Sequence, residues 1–445
     1  MSELPNGWEL VPLRTLIELN PKTIAVEDCT EVGFVPMALL GKRWFDVPGF
    51  ELRQWASVKK GYTHFQDGDV LLAKITPCFE NGKAGLIRGL PNGIGSGSTE
   101  YFVCRTSAGT LDSRYLLAYL KTDDFMHTGA MSMTGSVGHK RVPKEYLLGR
   151  EIPLAPQREQ TRIANQLDTL LARIEACNDR FNAILALLKR FRQTVFDAGL
   201  SGALLDIDSE TAIESEVPKV SISTIAAVGT GSTPLRSNSQ FFASTGTPWV
   251  TSSATSNAVI TTAHEFVTSA AVSAHRLKLY PKGTLLVAMY GEGKTRGQVA
   301  ELGIDATINQ ACAAIVVDKT KALTAYVKLA LQANYLSMRE LAEGGNQPNL
   351  NLSKVKEFEI PLPSLAVQTK IVHRVQAFFA LADRIEARCT AARAQAQRLT
   401  PLVLAKAFRG ELVPQDSNDE PASALLARIA SSDIAVAGKI SGKCL

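Results

Sequence analysis

Among the segments able to do chemistry, "YGEGKTRGQ" (290–298) comes nearest to a phosphate-binding loop. The pattern G-x-x-x-x-G-K-[ST] requires glycine at 288, where Ala288 stands, and no strand–loop–long helix order surrounds it to aim backbone N–H groups at phosphates. The six histidines (His64, His127, His139, His264, His275, His373) have neither H-x-x-x-H nor H-E-x-x-H spacing, so metal-assisted hydrolysis lacks its ligand pattern. There is no G-x-S-x-G elbow and no G-x-G-x-x-G between strand and helix. "LNPKT" (19–23) has the opening of the Asn-Pro-Pro-aromatic motif with which amino-methyltransferases hold a base, but Lys22 breaks it and no glycine-rich cofactor motif accompanies it. Seven scattered cysteines, none in C-x-x-C spacing, argue against a zinc site or a disulfide framework.

Four loops instead mix cations with amides, hydroxyls and glycine: "ITPCFENGKAG" (75–85), "TGSVGHKRV" (134–142), "MYGEGKTRGQ" (289–298) and "EGGNQPNLNL" (343–352). Arg and Lys neutralise phosphates or pair with guanine, Asn and Gln pair with adenine, and glycine admits close backbone approach, a chemistry suited to reading a duplex. The candidate contact residues are Lys74, Lys83, Ser136, His139, Lys140 and Arg141 in the first half, and Tyr290, Lys294, Thr295, Arg296, Asn346, Gln347 and Asn349 in the second. Taken singly, each loop reads better as an ordinary solvated turn, since Asn, Gly and Lys are what turns are made of. The matched placement of "TGSVGHKR" and "GGNQPN", each just before an "EIPL", favours contact for that pair.

That tetrapeptide exposes the frame that must carry these loops. It occurs at 151–154 and 359–362, and each copy opens onto a long apolar-periodic run. In the first run Ile163, Leu167, Leu170, Ile174, Cys177, Phe181, Ile184, Leu188, Phe191 and Val195 alternate in steps of four and three. In the second, Ile371, Val375, Phe378, Ala382, Ile385, Cys389, Ala392, Ala396, Leu399 and Val403 repeat the pattern 208 residues later. Both read as heptad seams of long helices of some 40 residues, about 60 Å each, which pair with each other as an antiparallel coiled coil. Pro153 and Pro361 hold extended backbone before each helix, Gly202 and Gly410 suit the C-terminal cap, and Pro401 predicts a kink.

The intervening segments are also related. "HFQDGDVLLAKI" (64–75) parallels "LYPKGTLLVAMY" (279–290), "GFVPM" (33–37) parallels "PWVTS" (248–252), and "YLLAYL" (115–120) parallels "YVKLAL" (326–331). Short strands with glycine-bearing turns and a few helices predict an α+β globule in each. The expected order is a globule over 1–150, a helical spacer over 151–205, a second globule over 206–358, a second spacer over 359–414 and a tail over 415–445, with approximate two-fold symmetry. Within the tail, "SALLARIASS" (423–432) reads either as a docking amphipathic helix or as a frayed end. A chain of 445 residues with 45% hydrophobic residues and a net charge of +5 fits such a multidomain globular protein. The absence of a signal-like h-region and of a membrane-length apolar stretch leads us to expect a cytoplasmic protein with no membrane partner.

In "EIPLAPQREQTRIANQLDTLLARIEA" (151–176) with "FDAGLSGAL" (196–204), and in "EIPLPSLAVQTKIVHRVQAFFALADRIEA" (359–387) with "AFRGELV" (407–413), the chain resembles the DNA-specificity subunits of type I restriction-modification enzymes. The resemblance covers nearly the whole chain, and its second copy departs by having Val367 where Glu precedes Gln in the first. It implies two target-recognition domains, each reading half of a split, asymmetric sequence in double-stranded DNA, with the helix pair as a ruler between them. It further implies a chain that catalyses nothing and holds no cofactor. S-adenosylmethionine would belong to two modification subunits, and ATP and Mg to restriction subunits. A coiled-coil scaffold without base readout, or a fused restriction or methylation enzyme, are the competing expectations.

Overall fold

The computed structural model describes residues 4–22, 26–107, 109–136, 138–205, 217–290, 295–341 and 350–430. It divides into two compact units, residues 1–182 with 390–445, and residues 183–389. Each contains one globule and one half of each long helix, Gln157–Leu200 and Leu365–Phe408, both 44 residues long.

In the first globule, Ile17–Leu19, Tyr101–Thr106, Val70–Ala73 and Ala84–Leu86 form an antiparallel sheet in that order. A second sheet orders Glu51–Gln54, Glu31–Val35, Ile94–Gly97 and Thr63–Gln66, with one parallel pair. The run "VLLA" at 70–73 is apolar throughout because both of its faces are covered. Val70 and Leu72 enter the core that includes the helix Ser113–Leu120, whereas Leu71 and Ala73 enter a separate core with Phe65 and Tyr101.

The second globule repeats this plan. Leu285–Ala288 lies between Cys312–Val317 and Val299–Leu302 in a five-stranded sheet; Leu285 and Val287 face one core, and Leu286 the other. The parallel pair recurs as Thr247–Val250 with Thr307–Ile308.

Each "EIPL" is a strand that closes its own globule. Glu151–Leu154 pairs antiparallel with Glu9–Pro12, and Glu359–Pro361 pairs with Lys219–Ser221. Proline contributes no N–H to a ladder but keeps its carbonyl, and both carbonyls are used. Tyr115 Oη donates to Pro153 O at 2.6 Å, and Tyr326 Oη donates to Pro361 O at 2.7 Å.

The buried glutamines of the Q-x-x-I signature join helix to globule. Gln160 accepts from the Asp112 amide at 2.9 Å and donates to Ala155 O at 2.9 Å. Gln368 accepts from the Leu323 amide at 2.8 Å and donates to Pro363 O at 2.8 Å. A side-chain amide has both a donor and an acceptor, so one residue satisfies backbone groups on two elements.

The two long helices pair antiparallel. In the first unit, Ile163, Leu167, Leu171 and Ile174 of the first helix share a core with Leu404 and Ala407 near the end of the second. In the second unit, Phe191 stacks edge-on against Phe378 at 6.0 Å and Phe196 against Phe379 at 4.8 Å. Arg192 reaches Asp383 at 2.5 Å and Glu386 at 2.7 Å.

The seam register needs correction. Cys177 is exposed, and Leu171 rather than Leu170 is buried. A straight helix drifts against a 3.5-residue repeat, and the 4-3 pattern does not tell which of two adjacent leucines turns inward. In the second helix Ala382, Cys389 and Ala396 are buried, whereas Ile385 and Leu399 are 37% and 46% exposed. Thus small side chains carry much of that face. This helix runs through Pro401 to Phe408.

Both helices end as the glycines require. Gly202 and Gly410 have φ of 81° and 71°, a left-handed conformation that side chains disfavour. Residues 415–430 then pack on the rest of the first unit. The Ala422 amide donates to Gly7 O at 2.8 Å, Arg162 pairs with Asp419 at 2.6 Å, and Leu425 on a helical stretch, 422–430, is buried.

Candidate nucleic-acid interface

In the first globule the loop 134–142 hangs on the end of the buried strand Val70–Ala73. The Val142 amide donates to Lys74 O at 2.8 Å, the Thr76 amide donates to Lys140 O at 2.9 Å, and Arg141 and Thr134 exchange backbone hydrogen bonds. Gly135 has φ of 124°, and a Cβ there would lie 2.9 Å from His139 O, so the turn calls for glycine. This scaffold leaves Ser136, His139, Lys140 and Arg141 exposed together.

Their partners differ. Arg141 is held bidentately by Glu100 at 2.9 and 2.6 Å; the guanidinium holds the Glu100 carboxyl below its ordinary range, and Glu100 raises Arg141. Lys74 is half-buried with Nζ 5.3 Å from the Phe102 ring centre, and burial lowers its pKa despite nearby Glu100. Lys83 donates to Met37 O at 2.6 Å. The loop therefore offers the Lys140 ammonium, the His139 ring, the Ser136 hydroxyl and an arginine whose charge is already compensated. These groups can bind phosphate or accept and donate to base edges, but they include no activated nucleophile.

Among the described residues, the second globule repeats part of this scaffold. The Met289 amide donates to Ala311 O at 2.8 Å as the Lys74 amide does to Glu100 O at 3.0 Å, and the Leu350 amide donates to Met289 O at 3.1 Å as that of Val142 does to Lys74 O. By these anchors Leu350 corresponds to Val142, which aligns the "GGNQPN" and "TGSVGHKR" segments at their ends. Tyr290 is exposed, and Thr295 and Arg296 are half-buried. The carbonyl of Arg296 accepts from Arg339 Nη1 at 3.2 Å, and Arg339 also donates to Tyr335 Oη at 2.8 Å. Lys294, Asn346, Gln347 and Asn349 lie outside the described residues.

Sequence reasoning did not find Glu100, which neutralises Arg141, nor Arg339 and Tyr335, which brace the 295–298 turn. All three lie more than 30 residues from the loop they serve, and no local spacing signals them.

At the start of the helices the two copies differ chemically. Trp8 Nε1 donates to the buried Glu159 at 3.1 Å, and burial raises that carboxyl's pKa. Strand register puts Val217 in the place of Trp8, and the repeat puts Val367 in the place of Glu159, so an indole–carboxylate pair in one copy is two valines in the other.

Lys121 supports the first globule from beneath, donating to Lys42 O at 2.8 Å and Gly82 O at 3.2 Å. Burial pushes its ammonium down to about 8 from an unfolded value of 10.5, so between these values the unfolded chain binds more protons and stability rises with pH. Relative to Lys121→Met, the wild type is expected to gain on the order of 1–3 kcal/mol between pH 7 and 10. Chemical unfolding of both proteins at the two pH values measures this, and a pH-independent difference would mean that the ammonium is solvated.

Comparison with known proteins follows the same lines. Residues 214–391 match the family described as Type I restriction modification DNA specificity domain. The type I restriction enzyme EcoAI specificity subunit of Escherichia coli is 44% identical over 170 residues, 38% of this chain and 29% of that protein. The EcoKI specificity subunit of Escherichia coli strain K12 is 30% identical over 313 residues, 65% of each chain. The match thus spans less than a third of the EcoAI subunit's length. In fold, the chain is similar to the HsdS subunit from Thermoanaerobacter tengcongensis, with a TM-score of 0.59 at 17% identity, covering 92% of this chain and 98% of that one. A chain from a type I R-M system assembly gives a TM-score of 0.70 at 17% identity, covering 92% of this chain and 100% of that one.

The fold is that of two α+β globules, each joined to paired long helices, and it is shared with solved type I restriction-modification chains. Residues 214–391 thus match a type I restriction modification DNA specificity domain, and the chain is similar in sequence to specificity subunits of type I restriction enzymes.

Proposed function

We propose that this chain reads a bipartite, asymmetric DNA target for a type I restriction-modification enzyme. The observation that carries this reading is that the two globules share backbone anchors at Val142 and Leu350 yet carry unlike sequences just before them, "TGSVGHKR" in one and "GGNQPN" in the other. A common scaffold with divergent contact residues suits two different half-sites. The paired helices serve as the ruler between them, and the duplicated frame offers two equivalent docking surfaces for two identical partners.

The candidate residues divide by what they can supply. Lys140 and Lys294 neutralise phosphates and position the heads, whereas Asn346, Gln347 and Asn349 offer amides able to pair with adenine edges. Ser136, His139, Tyr290 and Thr295 add hydroxyl and ring contacts. Lys74 and Lys83 act by holding the loops, and Arg141 reaches DNA when a phosphate competes with Glu100. The chain carries no catalytic step of its own. Modification subunits supply S-adenosylmethionine-dependent adenine methylation, and restriction subunits supply ATP- and Mg-dependent translocation and cleavage, in the cytoplasm.

The test is the methylome of a host expressing this chain with its modification subunit, compared with the same host lacking the chain. A new methyladenine motif split into two half-sites is the expected outcome. A continuous motif, or methyl transfer by the isolated chain, would overturn the reading.

A further inference from the structure

The loop between strands Glu31–Val35 and Glu51–Gln54 of the first globule leaves its sheet and fastens onto the first long helix. Trp44 Nε1 donates to Asp168 at 2.7 Å, the Trp44 backbone N–H donates to Glu175 at 3.0 Å, and Arg43 pairs with Asp179 at 3.3 Å. From the helix Ser113–Leu120, Arg114 donates to Asp168 at 2.9 Å and to Asn165 at 2.8 Å. Steps of seven and four place the three carboxylates along one helix face, and each receives a donor from the globule.

The loop is itself braced. Asp46 accepts from the amides of Lys42 and Arg43, both at 2.9 Å, and Lys121 holds Lys42 O. A Cβ on Gly41 would lie 2.0 Å from Asp46 Cβ, so the close turn depends on glycine. The tie is therefore a rigid clasp several turns beyond the buried Gln160 joint.

The second copy lacks the corresponding groups. The residues 208 positions on are Gln376, Asp383 and Ala387; Gln376 is exposed, and Asp383 pairs with Arg192 of the other helix. Arg114 corresponds to Ala325, since Tyr115 and Tyr326 bind the two proline carbonyls alike. Only the Gln joint is common to both units among these contacts.

We propose that Arg43, Trp44, Asp168 and Glu175 are positioning residues for spacer selectivity: by locking the first head onto its helix, they set how many base pairs the enzyme accepts between the half-sites. This inference rests on the bipartite reading above. One extra base pair moves a half-site by about 3.4 Å and turns it by about 34°, so a head also tied at Asp168, Glu175 and Asp179 follows less readily than one held by the Gln joint and the shared apolar core alone.

The test uses the chain assembled with its modification subunits and measures methylation of duplexes with fixed half-sites and spacers of the native length, one shorter and one longer. For Trp44→Ala/Glu175→Ala, preference for the native spacer is expected to fall roughly 10-fold, with the rate on the native spacer changed by less than about 3-fold. Glu175→Gln, which keeps an acceptor for the Trp44 N–H, is expected to behave as wild type, as is Gln376→Ala in the second copy. Unchanged spacer preference in the double variant overturns the proposal, and so does an equal loss at all spacers, which marks a merely structural contact. If the wild-type assembly shows no spacer preference, the bipartite reading fails instead.

Discussion

Replacing both Lys140 and Lys294 by alanine is expected to weaken binding of the assembled enzyme to its DNA target about 10–100-fold near 0.1 M salt, and to make the slope of log affinity against log salt shallower by about two. Each lysine that neutralises a phosphate releases about one condensed counterion, so the slope counts contacts independently of how well the bases are read. Lys140 stands on an exposed turn hung from Lys74 and Thr76 by backbone hydrogen bonds, and its removal leaves that scaffold in place. Arg141 makes a contrasting control. Its charge is offset by Glu100, so Arg141→Ala is expected to change the slope by less than Lys140→Ala does. Binding titrations at several salt concentrations decide the matter. A slope unchanged in the double variant would remove these loops from the interface and favour a scaffold without DNA contact.

The second large effect concerns the joints. Gln160→Leu is expected to destabilise the first unit by about 3–5 kcal/mol, because the Asp112 N–H and the Ala155 C=O each lose their buried partner, at about 1–3 kcal/mol apiece, along with the longer contact to Thr110 O. Gln368→Leu is expected to do the same to the second unit through the Leu323 N–H and Pro363 C=O. Amide hydrogen exchange resolves the two sites. Each substitution should speed exchange at its own amide, Asp112 or Leu323, and leave the other copy protected. A loss below about 1 kcal/mol, or equal acceleration at both sites, would show that the joints are not separate local anchors.

Much of this architecture was legible in the chain. The repeated "EIPL", the 208-residue period and the terminal glycines located the two long helices, because a helix buried along one stripe must repeat its apolar residues and a helix end must turn. The parallels between the globules were also legible. "HFQDGDVLLAKI" and "LYPKGTLLVAMY" align at the residue level in the structure, with Lys74 and Met289 making matching backbone hydrogen bonds.

What the linear pattern left open was every feature that depends on residues far apart in sequence. It did not say that Leu171 rather than Leu170 faces inward, since helix drift and the flanking globule decide between neighbours of equal hydrophobicity. It did not reveal that Arg141 is claimed by Glu100, that Lys83 serves Met37, or that Trp44 crosses to Asp168, because the ionic and hydrogen-bonding groups of a pair carry no local record of their partner. It also left residues 415–430 undecided between a docked and a frayed end. The backbone hydrogen bond from Ala422 to Gly7 and the burial of Leu425 decided it. Periodicity is a property of one element and can be read along the chain. Pairing is a property of two elements brought together, and only the folded structure supplies it.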